Sequence, residues 1–75
     1  MPITVIKKDD RRETFDREKL RRGLWRASGK TTIKAEDIER IVNEVERELI
    51  PGETTEVPSK KIGELVAKRL KKLDK

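Results

Sequence analysis

The hydrophobic pattern predicts a β-hairpin at the start of the chain. The segment Ile3–Lys8 opens with Ile-Thr-Val-Ile, a run rich in the β-branched residues that favour strands. Asp9 and Asp10 follow it, and aspartate is common in turns. The segment Arg12–Phe15 can then return beside the first strand, which completes the hairpin.

A first helix is predicted from Asp16 to about Ser28. Asp16 is a typical N-cap residue, and Gly29 lies just past the expected end. One face of this helix carries, at helical spacing, Leu20, Gly23, Leu24 and Ala27.

Two residue types in the helices need an explanation. Trp25 is the only tryptophan, and the core or a subunit interface is its expected environment. Glycine inside a helix costs about 1 kcal/mol relative to alanine. Gly23 is therefore expected to pack closely against a neighbouring element, and the same explanation is extended to Gly63.

The clearest helix has apolar residues at positions i, i+3, i+4, i+7 and i+11, which are Ile38, Ile41, Val42, Val45 and Leu49. Glu36 and Asp37 suit its positive N-terminal end. Lys34 stands where a capping Ser or Thr is usual, so Thr32 is expected to serve as the cap. Pro51-Gly52 is expected to end the helix.

A third helix follows a short extended stretch, Glu53–Val57. Pro58 restricts Val57 to extended geometry, and Ser59 is a suitable N-cap. The apolar stripe of this helix consists of Ile62, Leu65, Val66, Leu70 and Leu73. The sequence therefore predicts one α+β domain over residues 1–75. Three main helices form a small bundle, which is capped by a two- or three-stranded sheet that includes the N-terminal hairpin.

Composition narrows the possible functions. Charged residues make up 47% of the chain and the net charge is +5, which favours an anionic partner or, equally, describes a solvated basic surface. Cysteine and histidine are absent, so disulfides, ordinary zinc sites and Ser-His or Cys-His nucleophiles are excluded. The apolar runs are far shorter than the ~20 residues of a membrane span. No signal peptide is visible, and the expected location is the cytoplasm.

Three motifs occur in a characteristic order: V-I-K-K-D, F-D-R-E-K-L-x-x-G-L and, after the Ile/Val helix, E-V-P-S-K-K-I-G-E-L-V. From about Ile3 to Asp74 this series resembles the ATP-cone domain of ribonucleotide reductases and of the bacterial ribonucleotide-reductase repressor, the repressor's cone more closely. The family fold is a helical bundle capped by a three-stranded sheet. The hairpin and the stretch around Glu56-Val57 would supply its strands.

The resemblance implies a regulatory ligand. ATP and dATP compete for one pocket between sheet and helices in this family, and the bound nucleotide changes how the parent protein associates. In the reductases this switches activity, and in the repressor it controls DNA binding. The sequence leaves open which nucleotide binds more tightly and whether Mg²⁺ accompanies it.

The resemblance also implies site residues. The family's phosphate-contacting lysines map onto Lys7 and Lys19, with Lys8 at a position that is usually arginine. The alternative is that these are ordinary solvated cations among the 20 Lys and Arg residues. Val5 and Ile6 correspond to the strand that contacts adenine, although both also suit a strand core.

Further candidates carry oxygen acceptors. Glu13 and Glu18 can accept a hydrogen bond from the ribose or adenine, or can pair with nearby Arg and Lys on the surface. Ser59 matches a family position near the nucleotide, and its N-cap role explains it equally well. A helix N-terminus also presents free N–H groups that suit an anion.

The chain also departs from the family pattern. Asp10 stands where the hairpin usually has glycine. A typical cone continues into a further, aromatic-containing helix that helps to close the site, whereas this sequence stops at Lys75, without the repressor's zinc ribbon, like an excised or redesigned module. The uncovered stripe of the third helix therefore predicts a homo-oligomer, with Trp25 a candidate at the interface.

Three functions compete at this point. The leading hypothesis is an adenine-nucleotide sensor that is not an enzyme, since no nucleophile, base and orienting group can be assembled. The first alternative is a small basic nucleic-acid-binding domain. Interspersed acids, the lack of a recognition helix and the lack of stacking aromatics oppose it, so no direct DNA contact is expected. The second alternative is a designed or truncated cone scaffold without a retained ligand.

Overall fold

The computed structural model describes residues 3–49 and 56–73. Its elements, in chain order, are β1 (Thr4–Ile6), β2 (Arg12–Thr14), α1 (Arg17–Ser28), α2 (Ala35–Leu49), β3 (Glu56–Pro58) and α3 (Ser59–Leu73). The predicted α+β class, with a three-stranded sheet, is confirmed. Pro51-Gly52, the expected end of α2, lies outside the described residues.

The sheet has the strand order β2-β1-β3. β1 is central, antiparallel to β2 and parallel to β3, so that Val5 lies opposite both Glu13 and Val57. The hairpin turn places Asp10 in the left-handed region, at φ 67°. Aspartate adopts this conformation more readily than most residues, which explains how the turn forms without glycine.

Side-chain caps fix the starts of the first two helices. An Asp16 Oδ1 accepts the N–H of Glu18 at 2.9 Å, which confirms Asp16 as the N-cap of α1. At α2, the carboxylate of Asp37 accepts the backbone N–H of Lys34 at 3.0 Å. Asp37 therefore takes the capping role that was predicted for Thr32, because it reaches back from the first turn.

The core is centred on α2. Every apolar residue predicted for its inner face is buried, and Val42, Val45 and Ile38 are fully enclosed. Leu24 from α1 packs into the same cluster at 1% exposure, and Ile3 adds to it from the start of β1. The strict helical spacing of these residues is why one helix can supply most of the core.

Ion pairs join α1 to the outer side of α2. The Arg21 guanidinium donates to both carboxylate oxygens of Glu39, at 2.6 and 3.0 Å, and also pairs with Glu18. Arg17 contacts Glu46 at 3.1 Å. Glu18 thus has the surface partner that was one of its two predicted roles.

α3 packs less deeply than the other helices. Its apolar stripe lies against the core cluster, but all of its members are only half-buried. Among the described residues, the main neighbours of α3 are α2 and β3. Ser59 was predicted to be the N-cap of α3. It is instead the first residue inside the helix, one position after the N-cap.

The expectation of close packing at two glycines is wrong, and one of the two environments expected for Trp25 is excluded. Trp25 is 50% exposed, which rules out a core role within the described part of the chain. A Cβ added at Gly23 or Gly63 would meet no heavy atom within 4 Å, so neither glycine is explained by close packing. Among residues 3–49 and 56–73, no helix is long and apolar enough to cross a membrane.

Candidate functional site

A cleft of about 340 Å³ lies between the sheet, α1 and α3. β1 and the residue after it contribute Val5 and Lys7, and β2 contributes Glu13 and Thr14. The helical walls and the entry to α1 are formed by Phe15, Asp16, Lys19, Leu20, Gly23, Leu24, Ala27, Ser59, Ile62, Gly63 and Val66. The cleft is therefore bounded by three separate parts of the chain.

One end of the cleft is charged. The Lys19 Nζ lies 3.2 Å from Oε1 of Glu13, and the Lys7 Nζ lies 3.6 Å from Oε2 of the same carboxylate. The hydrogen bond from Lys19 and the charges of Lys19, Lys7 and Arg11 hold the pKa of Glu13 below its ordinary value. Lys7 and Lys19 are matched in number by the carboxylates of Glu13 and Asp16 in the cleft lining. An anion that displaced Glu13 would find both ammonium groups at this end.

The local structure explains why these side chains converge. Val5 and Lys7 are two residues apart, so they share one side of the extended segment. The antiparallel register places Glu13 directly across from Val5, on the same face. Lys19 comes from the first turn of α1, immediately after the chain leaves β2.

The other end of the cleft is apolar. α1 contributes Leu20 and Leu24, and α3 contributes Ile62 and Val66. Gly23 and Gly63 lie among these side chains on opposite walls, and the absence of a side chain at both positions leaves the space between the walls open. An apolar cleft with a few polar groups at one end is the usual form of a small-molecule site.

The structure separates the predicted site residues into two groups. The cleft is lined by Val5, Lys7, Glu13, Lys19 and Ser59. Ile6 and Lys8 are not part of its lining. Ile6 alternates with Val5 and Lys7 and so belongs to the other face of the sheet, and Lys8 lies in the exposed hairpin turn.

Sequence reasoning missed the α3 wall of the cleft. Gly63 and Val66 lie four and seven residues after Ser59, which is the spacing of one helical face. This spacing, counted from the predicted site residue Ser59, could have identified both residues from the sequence. The apolar α3 residues were instead assigned to packing alone.

Comparison with known proteins identifies the family of the domain. Residues 3–75 match the ATP cone domain model. Over 73 residues, 97% of the chain, it is 52% identical to the transcriptional repressor NrdR of Fervidobacterium nodosum and 47% identical to that of Caldicellulosiruptor saccharolyticus, covering 48% of each.

The NrdR of Listeria welshimeri is 55% identical over the same length, with 47% of that protein covered. The chain thus spans about half the length of these relatives, and no solved structure matches it significantly. An identity of this level over nearly the whole chain, together with the domain match, places the chain in the ATP-cone domain family.

Proposed function

We propose that this chain is the nucleotide-binding regulatory module of a ribonucleotide-reductase repressor, and that it takes ATP or dATP in the cleft between the sheet, α1 and α3. The observation that carries the proposal is the convergence of Lys7 and Lys19 at one end of an otherwise apolar cleft. Family membership supports it independently, because the relatives are transcriptional repressors.

The two ends of the cleft suit the two ends of a nucleotide. Lys7 and Lys19 would hold the phosphates, since a lysine ammonium is a good point-charge partner for phosphate oxygens. Ser59 opens α3 at the cleft wall, where the first N–H groups of the helix add partial positive charge. Adenine would lie against Val5 and the apolar residues of both helices.

Glu13 gives the site a built-in counter-charge. Without a nucleotide, its carboxylate partly neutralises Lys7 and Lys19. A triphosphate carries more negative charge and would take over these lysines, leaving Glu13 free to accept a hydrogen bond from the ribose or base. Binding therefore exchanges one set of ionic contacts for another at the junction of β2 and α1.

The proposed role is regulation and not chemistry. The sequence has no histidine or cysteine, and the cleft lining contains no nucleophile held by a base. A ligand regulates by stabilising one state of its protein more than another. Because the cleft joins α1, α3 and the sheet, a nucleotide in it would fix their relative positions and so the surfaces that they present to other subunits.

Titration calorimetry of the chain with ATP, dATP and a short DNA duplex, with and without Mg²⁺, tests the proposal. Saturable binding of ATP and dATP, with each nucleotide displacing the other, is the expected result. The absence of heat with either nucleotide would overturn the proposal. GTP serves as the control for base recognition, because a site that holds phosphates alone would bind it equally well.

A further inference from the structure

A second groove lies between α2 and α3. Its volume is about 800 Å³, more than twice that of the nucleotide cleft. It shares no lining residue with that cleft. Its apolar floor is small and comprises Ile41 and Leu73, while the rest of its lining is charged.

The charges of this groove do not balance. Arg69 pairs with Glu44 at 3.0 Å and with Glu48. It is also tied by a hydrogen bond to the carbonyl of Leu65 at 3.1 Å, and only 17% of its side chain is exposed. Arg69 is therefore a fixed structural cation, and the two acids of α2 that it contacts exceed its charge by one.

The remaining cations of the lining are more exposed. Arg40 pairs with Asp37 at 3.3 Å. Arg47, Lys68 and Lys72 are exposed and form no ion pair with any residue in the described ranges, 3–49 and 56–73. With five cations and three acids in its lining, the groove keeps a net charge of +2. Arg47, Lys68 and Lys72 form a positive row that carries this excess.

The spacing of the row suits a regular polyanion. Lys68 and Lys72 are four residues apart on α3 and are separated by about 6 Å along the helix axis. Arg47 faces them from α2 across the groove. A nucleic-acid strand carries a charge every ~3.4 Å of its axis, so two cations at this separation can reach phosphates that lie about two steps apart on one strand.

We propose that the α2–α3 groove binds the phosphate backbone of double-stranded nucleic acid through Arg47, Lys68 and Lys72. No aromatic residue lines the groove, so base stacking, the main contact to single strands, is not supported there. Backbone contacts require no recognition helix and carry no direct sequence information. The proposal revises the sequence-based expectation of no direct DNA contact, because the pairing of the groove's acids with other cations is visible only in the structure.

Fluorescence anisotropy with a short labelled duplex tests this proposal. The test variant is Arg47→Gln/Lys68→Gln/Lys72→Gln. The matched control is Arg22→Gln/Lys34→Gln/Lys60→Gln, which removes the same charge from three exposed positions that lie far apart in the sequence and outside the groove. The groove variant is expected to bind at least about tenfold more weakly. It is also expected to lose about 0.9 from the salt-dependence slope for each lost phosphate contact.

The control variant is expected to retain most of the affinity. Equal weakening in the two variants, or no binding of the unmodified chain at roughly 50 mM salt, would overturn the proposal. Polyglutamate of matched charge is included as a competitor, and displacement at equal concentration would show an acidic-protein surface instead. ATP calorimetry on the groove variant separates the two sites, since its nucleotide affinity should be unchanged whether or not DNA binds.

Discussion

Glu13 in β2 and Lys19 in the first turn of α1 form an ion pair, with 3.2 Å between Oε1 and Nζ. The pair links the sheet to the helix bundle at the charged end of the cleft. Lys7 approaches the same carboxylate from β1 at 3.6 Å. The electrostatics of the nucleotide cleft and the stability of the hairpin are therefore connected through one acidic side chain.

This connection predicts a dependence of stability on pH. The pKa of Glu13 is lowered in the folded chain, first by the hydrogen bond from Lys19. A carboxylate whose folded pKa is depressed stabilises the fold above its unfolded value, and the contribution is lost as pH falls through the folded pKa. The melting temperature should therefore decrease as the pH is lowered below 4.5, which is the ordinary pKa of this group.

Glu13→Gln should reduce this acid-side loss, because the uncharged amide has no such titration. Glu64 is the matched control, since it is exposed on α3 and forms no ion pair with the described residues. Glu64→Gln should leave the pH profile of thermal unfolding unchanged. Identical pH profiles of thermal unfolding for the two variants would contradict the claim that Lys7 and Lys19 stabilise the ionised form of Glu13.

Replacing Gly23 or Gly63 by alanine is expected to raise the stability of the fold and to weaken nucleotide binding. An added Cβ meets no heavy atom within 4 Å at either position, and alanine is favoured over glycine in helices by about 1 kcal/mol. Gly23→Ala and Gly63→Ala should each raise the free energy of unfolding by up to about 1 kcal/mol. Since both residues line the cleft, the same variants should weaken ATP binding.

Denaturant titration and calorimetry on the same samples measure the two effects. A helix substitution away from the cleft, Glu64→Ala at an exposed position of α3, controls for helix stability and should leave ATP affinity unchanged. Reduced stability of the glycine variants would indicate hidden steric contacts. Unchanged affinity would show that the open space is not used by the ligand.

The core predicts a large cost for substitution within α2. Ile38 is completely buried, and removing a buried isoleucine side chain to alanine costs about 2–5 kcal/mol. Since small domains have only about 5–15 kcal/mol in total, Ile38→Ala should leave the chain close to unfolding. Leu70→Ala, at a half-buried position of α3, should cost clearly less, and equal losses of denaturation free energy would contradict the central place of α2.

The helices could be predicted from sequence because their apolar residues have strict spacing. Ile38, Ile41 and Val45 fall on one face of α2 in any straight helix, and that face is buried. The cap of α2 was harder to predict, because Asp37 reaches back from inside the helix and a Thr or Ser before it was the expected signal. The sequence could not decide between the core and an interface for Trp25, because it does not show which side of α1 lacks a neighbour.

The candidate site was only partly predictable. Lys7 and Lys19 could be identified through the family motifs, and strand alternation explains why Ile6 is not part of the cleft. The roles of the glycines and the second groove depend on the gap between α1 and α3 and on which acids pair with which cations. Arg69 pairs with two acids of α2. The packing of the helices determines this pairing, and composition does not reveal it.

Self-association is a further prediction. The α3 stripe is only half-buried, and Trp25 is half-exposed. Exposed apolar side chains favour association when they form a contiguous patch. We expect two copies to pair, so the unfolding midpoint should rise with protein concentration, and Trp25→Gln should reduce that rise without destabilising the monomer.

Leu70→Glu serves as a second variant for this prediction. It should give a less stable monomer, because Leu70 also packs against the core of its own chain. Sedimentation at high concentration reports the mass of each variant directly. A monomer mass for the unmodified chain, together with a melting temperature that does not change with concentration, would contradict pairing.

Calorimetric titration of ATP into two charge-matched double variants tests the nucleotide site most directly. Lys7→Ala/Lys19→Ala removes the cations at the end of the cleft, whereas Lys71→Ala/Lys72→Ala removes two exposed cations from the last turn of α3, away from the cleft lining. Two lysines acting on one triphosphate contribute several kcal/mol of affinity when partly shielded from water. We predict no detectable ATP binding for Lys7→Ala/Lys19→Ala and near-normal binding for Lys71→Ala/Lys72→Ala; equal losses in both would show that general charge, and not the cleft, holds the ligand.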